Sequence, residues 1–214
     1  LMKLTLILIF ILAAVIIPLF FSTSDDIKAA PENNGKYKKA IFAGGCFWCM
    51  EKPFESLEGV LSVTSGYSGG NTENPNYKNY ADGRHIEVVQ IIYDPQVVSF
   101  GKLLDVYWMQ VDPTDDGGQF ADRGHSYTTA IFYYDEEQKA LAEKSKMSMD
   151  KSTIFDKPIV TPILPVKPFF PAEDYHQDYF KKNPARYKFY RAGSGRDRYL
   201  KKVWEERKGE IDKS

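Results

Sequence analysis

Eighteen nearly uninterrupted apolar residues, LTLILIFILAAVIIPLFF (Leu4–Phe21), stand near the front of this chain and limit what the rest can become. A run of that length is just long enough to cross a bilayer and longer than the usual apolar core of a secretory signal. Lys3 precedes it and Asp25 and Asp26 follow it, a charge pattern that places the N-terminus in the cytoplasm and the remainder outside. Ile27-Lys28-Ala29 is a weak match to a cleavage site, so a cleaved signal and an uncleaved membrane anchor both stay open. The polar stretch STSDDIKAAPENNGK (Ser22–Lys36) separates the run from everything else. The expected organisation is a signal or anchor with its linker over residues 1–35, then one domain over 36–214, facing an extracytoplasmic compartment. Composition suits such a domain, with 43% hydrophobic and 27% charged residues. A net charge of −1 argues against a general nucleic-acid binder, and the basic, aromatic-laced stretch Lys181–Lys208 reads as a solvated helical face.

Beyond the linker, strand-like and helix-like patterns alternate. Lys38–Gly45 reads as a strand ending in glycines, and Cys46–Gly59 has apolar residues at helical spacing with Pro53 inside it. Val60–Gly70 and His85–Pro95 read as strands, the first running into a glycine loop. Ser99 caps a helix over Phe100–Val111. A polar loop, Asp112–His125, leads to a strand over Ser126–Tyr134, and Asp135 with Gln138 opens a helix to about Asp150. A proline-rich extended segment, Asp156–Pro171, and a short helix over Ala172–Asn183 follow. The order predicts an α+β fold: a two-layer sandwich of a mixed or antiparallel sheet with helices, with a ferredoxin-like-type core, preceded by the N-terminal hydrophobic helix.

The chemistry concentrates in AGGCFWCME (Ala43–Glu51), which holds both cysteines of the chain. A bridge between Cys46 and Cys49 closes too small a loop to restrain much of the unfolded chain, which weakens a purely structural role. At a helix start, Cys46 lies where free N–H groups and the macrodipole favour a thiolate. Cys49, at i+3, shares its face, with Cα atoms roughly 5–6 Å apart, inside the range a disulfide tolerates. One thiol can attack a substrate and the other can displace the product, a two-thiol redox cycle. Three other readings remain on these residues alone. A structural bridge is one. A zinc site would need further ligands from His85, His125 or His176, which lack tight pairing. A thioredoxin-like disulfide oxidoreductase also carries CxxC at a helix start, but favours small residues or Pro between the cysteines. Phe47 and Trp48 instead form bulky apolar walls, suited to a small, greasy target.

These residues bring in a resemblance. GGCFWCME resembles the signature of the A-class peptide methionine sulfoxide reductases, in which GCFW carries the nucleophile. GYSGGNTENPNY (Gly66–Tyr77), HIEVVQIIYDP, DPTDDGGQFADRGHSYTTAI and AEDYHQDYF are similar to further segments of that family in the same order, over roughly Lys38–Trp204. The resemblance implies reduction of methionine-S-sulfoxide, protein-bound or free, to methionine. It implies that Cys46 attacks the sulfoxide sulfur and becomes a sulfenic acid, and that Phe47 and Trp48 wall a pocket for the S-methyl group. It assigns Glu87 as the acid that protonates the oxygen, its pKa raised by an apolar pocket. It also implies that Tyr77 and Tyr127 hold the sulfoxide oxygen and that Asp122 orients the loop and a water. No bound cofactor and no metal are implied. The partners would be oxidised proteins and an external thioredoxin-like dithiol, plus the membrane if the N-terminal segment is uncleaved.

The chain departs from the family in several places. Cys49 stands where Gly is common, and the C-terminal tail, which carries a resolving cysteine in many members, has none here. Cys49 is then the internal candidate to resolve Cys46; direct attack by an external thiol is the alternative. Arg84-His85-Ile86-Glu87 and Ser126-Tyr127-Thr128-Thr129 replace the usual neighbours of the acid and of the second tyrosine. A disulfide oxidoreductase using CxxC alone would have no need of Glu87, and a binding or metal module would tolerate loss of Cys46.

Overall fold

The computed structural model describes residues 35–152 and 154–206, which lie in the unit that follows residue 30. The expected N-terminal hydrophobic helix and its linker lie outside the described residues. Strands β1 (Lys38–Gly44), β2 (Val60–Ser68), β3 (Ile86–Tyr93), β4 (Gly118–Gln119), β5 (Asp122–Arg123), β6 (Thr129–Tyr133), β7 (Ile163–Pro165) and β8 (Phe170–Pro171) alternate with helices. The helices are α1 (Phe47–Glu55), α2 (Phe100–Trp108), α3 (Glu136–Lys151), α4 (Tyr179–Lys182), α5 (Pro184–Gly193) and α6 (Arg196–Lys201). Among the described residues no helix is long and apolar enough to cross a membrane.

The main sheet is mixed, in the order β7-β6-β1-β3-β2-β8. Its centre, β6-β1-β3-β2, is antiparallel throughout, with α1 linking β1 to β2 and α2 lying between β3 and β6. That is the split βαββαβ topology of a ferredoxin-like core. The proline-rich segment adds β7 parallel to β6 and β8 antiparallel to β2. Alternation along β1 explains the layers. Ala40 and Phe42 face α1 and α2, where Phe42 stacks on Phe54, Phe100 and Tyr107 at centroid distances of 5.0–5.9 Å. Ile41 and Ala43 face the other side with Ile86, Val88 and Phe132, and there Val166 and Phe169 of the proline-rich segment cover them. Both faces of β1 are thus buried, which is why the strand reads as a continuous apolar run.

Capping follows the local signals. Ser99 Oγ accepts from Lys102 N (3.1 Å), and Asp135 accepts from Gln138 N (2.8 Å). The Gln138 side chain reaches back one residue beyond the usual capping box, its Oε1 accepting from Tyr134 N (3.0 Å). Two expected elements differ. The strand foreseen from Ser126 begins at Thr129, because His125–Tyr127 forms a 3₁₀ turn closed by Thr128 Oγ1 on the His125 carbonyl. The helix foreseen over Ala172–Asn183 reduces to Tyr179–Lys182, since Asp178 holds φ = +53° and interrupts it.

Candidate active site

The two glycines before Cys46 make room for the site. A Cβ on Gly44 would lie 2.5 Å from Met50 Sδ, and Gly45 has φ = +78° with its Cβ direction 2.6 Å from Gln119 Cβ. The chain can therefore turn sharply from the end of the central strand into α1. Cys46 caps α1 without a side-chain hydrogen bond, and Cys49 N donates to the Cys46 carbonyl (3.0 Å), closing the first turn. Both thiols are free and buried, at 5% and 1% exposure.

Glu87 sits on β3 opposite Tyr67 of β2, on the α1 side of the sheet. Its Oε2 accepts from Phe47 N (2.9 Å) and its Oε1 from the Tyr80 hydroxyl (3.0 Å). Burial outweighs both bonds and pushes the carboxyl up to about 8, so it holds a proton near neutral pH. The same geometry corrects the expectation for Cys46. The helix-start N–H expected to favour its thiolate is taken by Glu87. Burial, the hydrogen bond with Cys49 and the charge of Cys49 beside it drive the Cys46 thiol well above its ordinary value. The Cys46 bond and two arginines instead pull Cys49 down, so the pair shares its proton unequally.

A cavity of about 100 Å³ is lined by Cys46, Phe47, Trp48, Tyr77, Glu87, Asp122, Tyr127 and Tyr190. It brings together every candidate site residue named from the sequence except Cys49, which is buried outside its lining. Trp48 is held as a wall. Tyr179 stacks on it at 3.6 Å with a 3° interplanar angle, and its Nε1 donates to His176 Nδ1 (3.0 Å). Burial lowers the pKa of His176, in keeping with a neutral ring that accepts through Nδ1. Tyr127 stands on the 3₁₀ turn, its hydroxyl 3.5 Å from that of Tyr80, and burial pushes it up to about 12.

Tyr77, 43% exposed, closes the rim over Tyr80 and His176, with its backbone N–H on Glu173. The hydroxyl that reaches Glu87 is that of Tyr80. Asp122, on the β4–β5 hairpin, accepts from the Tyr190 hydroxyl. Tyr80 and Tyr190 escaped the sequence reading because fourteen tyrosines offer no periodic signal that singles them out. Among the described residues no group of three or more His, Cys, Asp or Glu is arranged to hold a metal ion.

Two neighbouring thiols, a protonated carboxyl and hydroxyls around a small aromatic-walled cavity define a thiol-dependent oxidoreductase for a small, oxygen-bearing and otherwise apolar group. The comparisons make this specific. The family model described as peptide methionine sulfoxide reductase matches residues 38–208, and the chain belongs to that family, in its A class. A relative named peptide methionine sulfoxide reductase MsrA from Bacillus licheniformis is 56% identical over 171 residues, covering 79% of this chain and 94% of its own. The reduced form of Mxr1 from Saccharomyces cerevisiae superposes with a TM-score of 0.67 at 30% identity, over 75% of this chain and 92% of that one. Mxr1 in complex with Trx2 aligns at 25% identity with a TM-score of 0.50, over 72% of this chain and 91% of that one. The chain is a methionine sulfoxide reductase that uses thiol chemistry to repair oxidised methionine.

Proposed function

We propose that the chain reduces the S epimer of methionine sulfoxide in a cycle where Cys46 attacks, Glu87 supplies the proton and Cys49 resolves. The observation that carries this reading is the protonated Glu87 in the same 100 Å³ cavity as Cys46. The substrate methyl group lies against Phe47 and Trp48, and its oxygen toward Glu87, Tyr80 and Tyr127, with Tyr77 closing the rim. Asp122 acts through Tyr190, fixing that hydroxyl beside Cys46.

Cys46 sulfur attacks the sulfoxide sulfur while the Glu87 proton passes to the oxygen. The substrate S–O bond breaks, oxygen ends on Cys46 as S–OH, and methionine leaves; the Cys46 thiol proton restores Glu87. Protonated Glu87 carries no charge to oppose Cys46 ionisation, so the acid and the nucleophile are ready in one state. Cys49 then attacks Cys46 Sγ, the Cys46 S–O bond breaks, and hydroxide leaves as water after taking a proton. Two electrons and two protons from an external dithiol reopen the disulfide. A thioredoxin-like donor is the fitting source, supported by the complex of yeast Mxr1 with Trx2. An extracytoplasmic setting belongs to the same reading and rests on the apolar run Leu4–Phe21 and its flanking charges.

Single turnover on the reduced chain, without added reductant, tests the cycle with separate S and R epimers of a methionine sulfoxide peptide. About one equivalent of methionine from the S epimer alone is expected, with loss of two hydrogens from the protein mass. Cys46→Ser abolishes methionine formation; Cys49→Ser forms methionine and retains a trappable sulfenic acid. Turnover that survives Cys46→Ser overturns the assignment of the nucleophile. Recycling by a thioredoxin donor that proceeds in Cys49→Ser at the parent's rate overturns that of the resolving thiol.

A further inference from the structure

Pro53, four residues after Cys49, has no N–H to give to the Cys49 carbonyl, so that acceptor is left without its helical partner. Arg191 of α5 takes the place, its Nη1 donating to Cys49 O at 3.0 Å. The same guanidinium donates through Nη2 to Gln110 Oε1 (3.2 Å) and through Nε to Asp197 (2.6 Å). Gln110 leads to a second arginine. Arg196, 1% exposed at the start of α6, donates through Nη1 to Gln110 O (2.6 Å) and through Nη2 to Gly44 O (2.9 Å). Its Nη1 also meets Met50 Sδ (3.7 Å), and the Phe120 ring covers it at 4.6 Å.

Among the described residues Arg196 has no carboxylate within ion-pair distance, and its Nε has no hydrogen-bond partner. A buried guanidinium held by two carbonyls, a thioether and an aromatic face has no anion beside it, and such charges are costly unless one forms there. The anion available here is a thiolate of the CxxC turn, since Gly44 and Met50 flank that turn on either side.

We propose that Arg191 and Arg196 are positioning residues for the resolving step, holding the Cys49 sulfur as an anion aimed at Cys46. The C-terminal helices, which carry no cysteine, thereby contribute charge to the resolving step. This deepens the assignment of Cys49 as the resolving thiol and rests on it. The charged and titratable groups facing Cys49 come from four other elements and its own turn. Cys46 belongs to the turn, Glu87 to β3, Asp122 to the hairpin, Tyr187 and Arg191 to α5, and Arg196 to α6. Only the two arginines favour the anion electrostatically, and both act in the required direction. The step balances within the chain: the S–S bond forms, the S–O bond of Cys46 breaks, and hydroxide leaves and is protonated to water. The oxidising equivalent is the sulfenic acid that sulfoxide reduction has already supplied.

The experiment follows disulfide formation against the methionine burst in single turnover of the full chain, from about pH 6 to about pH 9. Arg191→Met, Arg191→Lys, Arg196→Met and Arg196→Lys are compared with the unaltered chain. In each Met variant the ratio of disulfide rate to burst rate falls about ten-fold at the acid end and recovers toward the alkaline end. The Lys variants retain most of the ratio. In a Cys46→Ser background, the alkylation profile of Cys49 with iodoacetamide moves to higher pH in the Arg191→Met variant. Should Arg196→Met fail to fold, Arg191→Met carries the test. Unchanged ratio and alkylation profiles in Arg191→Met overturn the proposal while leaving Cys49 as the resolving thiol. Recycling by a thioredoxin donor at the parent's rate in Cys49→Ser would instead remove the reading beneath it.

Discussion

At Glu87 two opposing effects meet, and burial wins. The Phe47 N–H and the Tyr80 hydroxyl each favour the carboxylate, yet the buried site lifts the group to about 8. The methionine-forming step should therefore be steady below neutral pH and fall as pH rises through about 8, where the carboxyl gives up its proton. Tyr80→Phe removes a bond that favours the charged form, so that alkaline limb should move to higher pH. Glu87→Gln should slow the burst by about 10²–10⁴-fold and abolish the limb. Burst rates across the pH range, measured with the S-sulfoxide peptide, check all three. A limb that stays in place in Glu87→Gln would assign it to another group.

At the scale of elements, the turn from β1 into α1 is the costly piece of backbone. Gly45→Ala forces a Cβ into a left-handed conformation and against Gln119, and should destabilise by more than about 1–2 kcal/mol. Denaturant unfolding reads that loss; a stability equal to the parent's would mean the turn can relax. Asp135→Ala removes the cap of α3 and should cost about 1 kcal/mol without changing the methionine burst, since α3 lies away from the cavity. Helix α1 is also tied to the segment before α4. Glu51 Oε1 accepts from Asp178 N (3.0 Å), next to Tyr179, the residue stacked on Trp48. The Trp48 side of the cavity is thus set from two directions, by α1 and by that segment.

Across the molecule, two buried carboxyls set how stability responds to pH. Burial lifts both Glu51 and Glu87 to about 8 from an ordinary value of 4.5. Between those values the folded state keeps protons that the unfolded chain has released, so stability falls as pH rises from about 4.5 to about 8. A tenfold tighter hold on a proton is worth about 1.4 kcal/mol, so the loss amounts to a few kcal/mol for each group. Glu51→Gln should flatten part of this slope: relative to the parent, the variant gains stability at about pH 8 over about pH 5. Thermal unfolding at the two pH values measures the difference, and parallel changes in parent and variant would show that Glu51 titrates normally.

Much of the architecture is legible locally. The caps at Ser99 and Asp135, the helical spacing after Cys46 and the apolar alternation of the strands each act within a few residues. Side-chain burial and backbone capping decide helix against strand at that range, so the element order follows from the chain read in sequence. Cys46, Cys49 and Glu87 were legible as candidates as well, through CFWC and the strand bearing Glu87, and the structure brings Cys46 and Glu87 to one cavity. The partners of these groups were not. Trp48 meets His176 across 128 positions, Asp122 meets Tyr190 across 68, and Cys49 meets Arg191 across 142. No periodicity links residues so far apart, and each is one of many of its type. The ionisation of Cys46 shows the division most clearly. The sequence by itself placed the thiol at a helix start, which favours an anion. Only the tertiary structure brought Glu87 to the free N–H and buried the sulfur, and at a buried site desolvation outweighs a helix dipole.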